Sequence, residues 1–175
     1  MDKPIQDFSD CHAAIVSMFD DLTALARPQA PTPQRRDMAN RVLDVFQDVV
    51  TAHHREEEAE LFAAVLADAV PGEEHAKVES FVNRLVAEHR RVEGLYSQLI
   101  PALSAMANGD DAALDAAAVE VLVTDYRAHA QFEEESFLPL SQTILGRNSD
   151  HMAALGLALH IRHAVNELRH RFGTI

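Results

Sequence analysis

The sequence has few of the residues that mark secreted, disulfide-bonded or membrane proteins. A single cysteine, Cys11, excludes an internal disulfide and favours a reducing, cytoplasmic environment. The first residues lack the basic-then-apolar pattern of a signal peptide. No apolar run approaches the roughly 18 residues that a membrane helix needs. Tryptophan is absent, and six glycines and seven prolines leave few breaks, so long helices are expected.

The charge of the chain is strongly negative. The formal net charge of −13 argues against nucleic acid and anionic membrane as partners, and it favours cations near the surface. What the sequence has in unusual number is histidine. Ten are present, and several are clustered with glutamates.

Four short breaks divide the chain into helical segments. They are proline-rich at residues 27–34 and rich in glycine or helix-capping residues elsewhere. Each segment between them has an apolar stripe at helical spacing. The predicted helices cover residues 5–27, 34–70, 73–108, 111–145 and 150–172.

The expected fold is all-α, in one domain over residues 1–175. Short loops between long helices favour antiparallel neighbours. We therefore predict an up-down-up-down four-helix bundle over about 5–145, with the additional C-terminal helix packed outside. Pro139 should kink or shorten the fourth helix.

Six titratable side chains interrupt the apolar stripes and should therefore point into the core. The adjacent His54 and Glu58 should point outward. Burying a carboxylate without a partner costs several kcal/mol or more, so inward groups need partners. The six inward residues are His12, His53, Glu57, His89, His129 and Glu133.

The four inward histidines should lie at one level. At about 1.5 Å per residue, His12 lies about 22 Å before the end of its helix. His53 lies about 27 Å after the start of the next helix, and the remaining neighbours agree equally well. Antiparallel folding would therefore bring all four imidazoles together.

An internal repeat selects among the glutamates. The stretches HHREEEAELF and HAQFEEESFL begin at His53 and His129 and align as His-x-x-x-Glu followed by apolar residues. The alignment pairs Glu57 with Glu133, whereas Glu56 has no acidic counterpart. A solvated helix face is the simpler interpretation of one such run, but the second copy and the common level argue against it.

Four imidazoles and two carboxylates that converge from four helices suit a pair of first-row metal ions. Imidazole suits iron, zinc or copper, and a carboxylate can bridge two ions. Two positive ions would also offset the two buried negative charges.

The motifs together resemble the hemerythrin-like, cation-binding HHE domain family. The matching stretches are CHAAI, HHREEEAELF, AEHRRVEGLY and HAQFEEESFLP, and the resemblance covers about residues 8–140. It implies a four-helix bundle with a non-haem di-iron centre bridged by carboxylates and an oxo or hydroxo group, with zinc as a substitute. The implied ligands are His12, His53, Glu57, His89, His129 and Glu133.

One position departs from the oxygen-carrying members, which place a second histidine one turn after the third-helix ligand. Here that residue is Glu93. It is a candidate extra ligand or a residue that supports the ligands from outside, and its presence argues against simple reversible oxygen carriage. Tyr96 should hydrogen-bond to a bound ligand or a carboxylate, or pack in the core. Asp125 should orient His129 or lie at a polar rim.

The remaining candidate residues are interpreted as packed or surface residues without a metal-binding role. Cys11 should be a small packed residue, and His75 should be solvated. His160, His163 and His170 on the predicted fifth helix should lie on the surface.

The resemblance leaves three functions open. The first is a di-iron protein that binds O2, NO or peroxide for sensing, storage or redox and iron handling. The second is a metal-binding or iron-responsive module without ligand chemistry. The third is an enzyme that reduces peroxide or repairs nitrosative damage, which is less favoured because no nucleophile or substrate-pocket motif accompanies the set.

Overall fold

The computed structural model describes the backbone of residues 3–29 and 31–148, and the side chains of residues 12, 15–29 and 31–148. Within these ranges the chain is helical and contains no strand. The predicted helix at residues 150–172, with the candidates His160, His163 and His170, lies outside the described residues, as does the Cys11 side chain. Four long helices follow one another: α1 (Lys3–Leu25), α2 (residues 33–68), α3 (Glu73–Asn108) and α4 (residues 116–145).

Capping residues set the helix boundaries. Gly72 (φ +112°) precedes α3 and Gly109 (φ +92°) follows it, so both sit in backbone conformations that favour glycine. The predicted start of α4 at residue 111 is wrong. Asp115 is the cap, because its side chain accepts hydrogen bonds from the backbone N–H groups of Ala117 and Ala118.

Two of the helices are not purely α-helical. π-Helical turns interrupt α2 at Phe46–Val50 and Glu57–Leu61, and α4 at Glu133–Phe137. The latter two turns begin at the glutamates of the repeated motif. Pro139 does not end α4, which continues to Leu145 directly after the π turn. The α-helical segments of the two helices are Pro33–Val45, Thr51–Glu56, Phe62–Asp68, Ala116–Phe132 and Leu138–Leu145.

The helices enclose two apolar clusters. Helices α1 and α3 each pack against both α2 and α4. The first cluster contains Phe19, Val50, Leu103 and Leu122 among others. The second cluster contains Phe62, Val78, Leu85, Phe137 and Ile144 among others. Along α2 and α4 the chain runs from the first cluster to the second, whereas along α3 it runs the opposite way.

A buried arginine closes the connection between α1 and α2. The Arg35 guanidinium donates to the backbone carbonyls of Leu25 at 2.9 Å and Arg27 at 3.2 Å. It thereby satisfies acceptors at the C-terminal end of α1 that the helix itself leaves open.

Among the described residues, no helix combines the length and the apolar character of a membrane span.

Candidate metal centre

The six inward residues meet in the layer between the two apolar clusters. Each is at most 4% exposed, and Glu57, His89 and Glu133 are completely buried. They come from all four helices, as the common level of the histidines requires. Their burial and convergence are as predicted, while metal ligation by them stays a prediction.

The first group of potential ligands consists of His12, His53, Glu57 and Glu133. His12 Nε2 lies 2.9 Å from Glu133 Oε2 and 3.8 Å from Glu57 Oε1. His53 Nε2 lies 3.1 Å from the same Glu57 oxygen. Four ligand atoms, one from each residue, lie within 4.8 Å of one another.

The second group consists of His89, His129 and the same two glutamates. His89 Nε2 lies 3.3 Å from Glu57 Oε2, and His129 Nε2 lies 3.6 Å from Glu133 Oε2. One oxygen of Glu57 therefore faces the first group and the other faces the second. Glu133 contacts an imidazole of each group through the same oxygen, Oε2. Both carboxylates therefore lie between the two sets of imidazoles, where a carboxylate can serve two ions.

His54 also belongs to the site, and the prediction that it points outward is wrong. Its side chain is 1% exposed and stacks on the His89 ring, with 3.9 Å between centroids and 4° between planes. His54, His89 and His129 form a third group of potential ligands. His54 Nε2 is buried and has no hydrogen-bond partner among the described residues.

The π turn at Phe46–Val50 explains why the helical wheel misplaced His54. A π turn pairs residues five apart, so it accommodates one more residue than an α-helical turn. The inward line of α2 therefore shifts by one position after the turn. As a result, both members of the doublet, His53 and His54, are buried.

Each of four imidazoles has a carboxylate at its Nδ1 atom. In a neutral imidazole, an Nδ1–H that donates to a carboxylate leaves Nε2 unprotonated and able to bind a cation. The pairs are His12 with Glu134 at 2.9 Å, His54 with Glu93 at 3.0 Å, His89 with Glu58 at 2.8 Å, and His129 with Glu88 at 3.1 Å.

These outer contacts favour one of two alternatives for Asp125 and for Glu93, and they correct one prediction, that for Glu58. Glu88, rather than Asp125, orients His129; Asp125 pairs with Arg91 instead. Glu93 contacts His54 and lies in none of the ligand groups. Glu58 does not simply face solvent, because it holds the His89 ring.

The repeat contains a signal for two of the outer carboxylates that sequence reasoning did not use. Glu58 and Glu134 each follow the shared glutamate of their own copy. His12 and His89 precede the two motif copies by 41 and 40 residues, so α1 with α2 and α3 with α4 form two similar helix pairs. Glu58 holds His89 of the second pair, and Glu134 holds His12 of the first. The two copies thus support each other's imidazoles.

Two tyrosines lie near the centre. Tyr96 stacks on Phe46, with 3.4 Å between centroids, and its buried hydroxyl has no hydrogen-bond partner among the described residues. Tyr96 therefore packs in the core, which is one of the two predicted roles. Tyr126 was missed, although it lies three residues before His129 on the same helix face. Its ring centroid is 6.4 Å from that of His12 and 5.8 Å from that of His129.

Burial and neighbouring charges shift the pKa values of the imidazoles in opposite directions. Burial alone would lower the pKa of His12, but hydrogen bonds to Glu133 and Glu134 outweigh it and raise the pKa to about 9. Burial, followed by repulsion from His129, lowers the pKa of His54 to about 3. Burial and repulsion from His54 also lower the pKa of His89 far below its ordinary value. His54 and His89 are therefore neutral donors.

The spacing and chemistry of these atoms fit metal ions. Two ligand atoms about 2.1 Å from one ion and about 90° apart are about 3 Å from each other. The nitrogen–oxygen distances of 2.9 to 3.8 Å within each group are near this value. The unsatisfied, neutral His54 Nε2 is a further donor without another described role.

Fold and site together define an all-helical protein with a buried histidine- and glutamate-rich cation-binding centre. Residues 3–141 match the model of the hemerythrin HHE cation-binding domain family. The chain belongs to that family. Neither the curated proteins nor the solved structures gave a match.

Proposed function

We propose that the chain is a non-haem di-iron protein that binds a small molecule such as O2, NO or peroxide. The observation that carries this proposal is that Glu57 and Glu133 are shared by both ligand groups. A single-ion site needs no such sharing. Zinc is the expected substitute, because it accepts the same nitrogen and oxygen ligands.

The two groups differ in the number of donors that they offer. The second has five residues when His54 is counted with Glu57, Glu133, His89 and His129, whereas the first has four. In the repeat, the counterpart of His54 is Ala130, which has no ligand atom. An iron ion that prefers about six ligands would keep more open positions in the first group. We propose that the small molecule binds there, beside His12 and His53.

His54 changes the argument about oxygen. The resemblance placed Glu93 where oxygen carriers have a histidine, and this argued against reversible binding. His54 offers an imidazole to the second ligand group, and a Glu93 carboxylate oxygen lies 3.0 Å from the Nδ1 atom of that imidazole. The donor count therefore no longer argues against reversible oxygen binding.

The other residues would prepare the centre for its ions. When bound, an iron pair supplies open coordination positions and two exchangeable electrons. The outer glutamates hold the Nε2 atoms inward, and the apolar clusters on either side exclude water. Tyr126 lies beside His12 of the first group and His129 of the second, and it would limit the size of the bound molecule.

The finer architecture belongs to the same proposal. The alternating chain directions of α2, α3 and α4 between the two clusters support an up-down-up-down bundle. A single domain over residues 1–175, the outer position of the C-terminal helix, the cytoplasmic location, and the lack of nucleic acid and membrane partners stay predictions.

Metal analysis combined with spectroscopy tests the proposal. Metal-free protein is loaded with ferrous iron without oxygen, analysed for iron and zinc, and then exposed separately to O2 and NO. We expect two irons per chain and a change in the absorption spectrum with at least one gas. Fewer than two ions would contradict the di-iron proposal. Two ions without any spectral response would instead indicate a metal-binding module without ligand chemistry.

A further inference from the structure

A closed ring of contacts surrounds the stacked imidazoles of the second ligand group. Glu93 on α3 holds His54 on α2, and Glu58 on α2 holds His89 on α3. The contacts thus cross twice between the same two helices. The two imidazoles that they hold are parallel and 3.9 Å apart.

Arg90 joins the two carboxylates of this ring. Its Nη2 lies 2.5 Å from Glu58 Oε2, and its Nη1 lies 3.3 Å from Glu93 Oε2. One planar guanidinium thereby spans two glutamates, each of which holds one imidazole. A lysine cannot reproduce this contact, because its ammonium is a single point charge rather than a rigid fork.

The glutamates need such a partner to keep their positions. Their side chains are 23% and 29% exposed, so without Arg90 they would repel each other and turn toward water. A surface hollow lined by Thr51, Arg55, Glu58, Arg90 and Glu93 gives solvent access to the outer side of the ring. The imidazoles beneath it are buried. Arg90 therefore lies between the solvent and the second ligand group.

We propose that Arg90 is a positioning residue that fixes His54 and His89 through Glu93 and Glu58, and so slows release of the ion they hold. The proposal rests on the proposed function for its metal consequence, but the positioning itself is a property of the metal-free chain. The counterpart of Arg90 in the first helix pair is residue 13, an alanine. The effect should therefore concern one ion of the two.

Arg91 provides a matched control. It lies next to Arg90 on α3, is similarly exposed (60% against 57%), and pairs with a carboxylate, that of Asp125. Among the described residues, no contact joins Asp125 to an imidazole. An exposed ion pair contributes little to stability, so Arg90→Gln and Arg91→Gln should both fold like the wild type, as circular dichroism will show.

The positioning is tested without metal. In metal-free protein labelled with 15N-histidine, Arg90→Gln should shift the ring resonances of His54 and His89 and leave those of His12 in place. Arg91→Gln should shift none of them. Equal spectra for the two variants would overturn the proposal.

The consequence is tested by the rate of iron release. Ferrous-loaded protein is mixed with a colorimetric ferrous chelator, and release is followed for both ions. Loss of a carboxylate that holds a metal-binding histidine typically costs 10- to 100-fold in affinity. Because Arg90 acts on two such carboxylates without removing them, Arg90→Gln should speed one of two release phases by up to about tenfold. Arg90→Lys should be intermediate, and Arg91→Gln should match the wild type.

Failure of the Arg90 proposal and failure of the proposed function would give different results. Equal acceleration of both phases, or no acceleration, would overturn the metal consequence of Arg90. A wild-type chain that loads fewer than two irons would overturn the proposed function, and the imidazole spectra would then decide the positioning alone.

Discussion

At the scale of single residues, His54 makes the two halves of the centre unequal. The repeat supplies each half with two histidines and a share in both glutamates, and His54 adds an imidazole to one half only. Its low pKa, about 3, keeps that imidazole neutral, and its Nε2 lacks a described hydrogen-bond partner. The ion in that half should consequently be the more tightly held.

Replacing His54 with alanine should weaken one of the two iron sites by about tenfold or more, because a donor is lost at a buried ion. Competition with a ferrous chelator measures both affinities. His75→Ala, a change on α3 near its start, is the control and should leave both unchanged. Two unaltered affinities in His54→Ala would show that His54 does not ligate.

Tyr96→Phe should stabilise the protein. The buried hydroxyl loses its contacts with water and gains no described partner, so its removal should raise the free energy of unfolding by about 1 kcal/mol. Urea denaturation at neutral pH measures this. A loss of stability instead would mean that the hydroxyl makes a hydrogen bond.

The same tyrosine predicts an alkaline effect. Burial, with a smaller contribution from Asp44, raises the pKa of Tyr96 to about 12. The unfolded chain, with a phenol pKa near 10, releases this proton first, so stability falls as the pH rises from about 10 to about 12. Wild type should lose about 1 kcal/mol more than Tyr96→Phe between about pH 9 and about pH 11. Parallel losses in the two proteins would contradict the assignment.

Sequence reasoning located the six inward residues because they interrupt apolar stripes and because the motif repeats. It could not place His54 correctly, since a helical wheel assumes a constant rotation per residue and a π turn precedes this residue on α2. The carboxylates at Nδ1 depend on contacts between helices, and spacing along a single helix does not reveal these. Only Glu58 and Glu134 could have been found, from their equivalent places in the repeat.

At the scale of helices, the π turns decide which residues face the centre. Two of the three begin at Glu57 and Glu133, and the third precedes the histidine doublet. Extra residues in a helix are frequent at functional sites. Their positions do not follow from helix propensity, so the sequence predicted the helices but not the turns within them.

Two prolines should affect helix stability in opposite directions. Pro101 lies inside α3, where it removes a backbone hydrogen bond, so Pro101→Ala should raise the free energy of unfolding by about 1 to 3 kcal/mol. Pro33 occupies the first turn of α2, where proline is favoured, so Pro33→Ala should not stabilise. Urea denaturation of both variants makes the comparison. Similar gains in both would contradict the positional argument.

At the scale of the whole molecule, the centre separates two apolar clusters and places charge between them. This arrangement could be predicted from loop lengths and the helix rise, because both act along the whole chain. The residues of the loops predicted the helix boundaries less accurately. For example, α4 starts at Ala116 rather than at residue 111.

Metal binding should stabilise the whole fold. Two cations would offset the buried carboxylates, and an ion at about 100 times its dissociation constant contributes about 2.7 kcal/mol at each site. Urea denaturation with ferrous iron, compared with magnesium, measures the effect. Magnesium prefers oxygen ligands and should give little stabilisation. Equal effects of both ions would contradict selective binding at the histidines.

The central claim is that two ions share Glu57 and Glu133. Anomalous diffraction at the iron edge, from crystals of the iron-loaded protein, tests it most directly. We predict two neighbouring peaks, one beside His12 and His53 and the other beside His54, His89 and His129. A single peak, or peaks only at surface carboxylates, would contradict it.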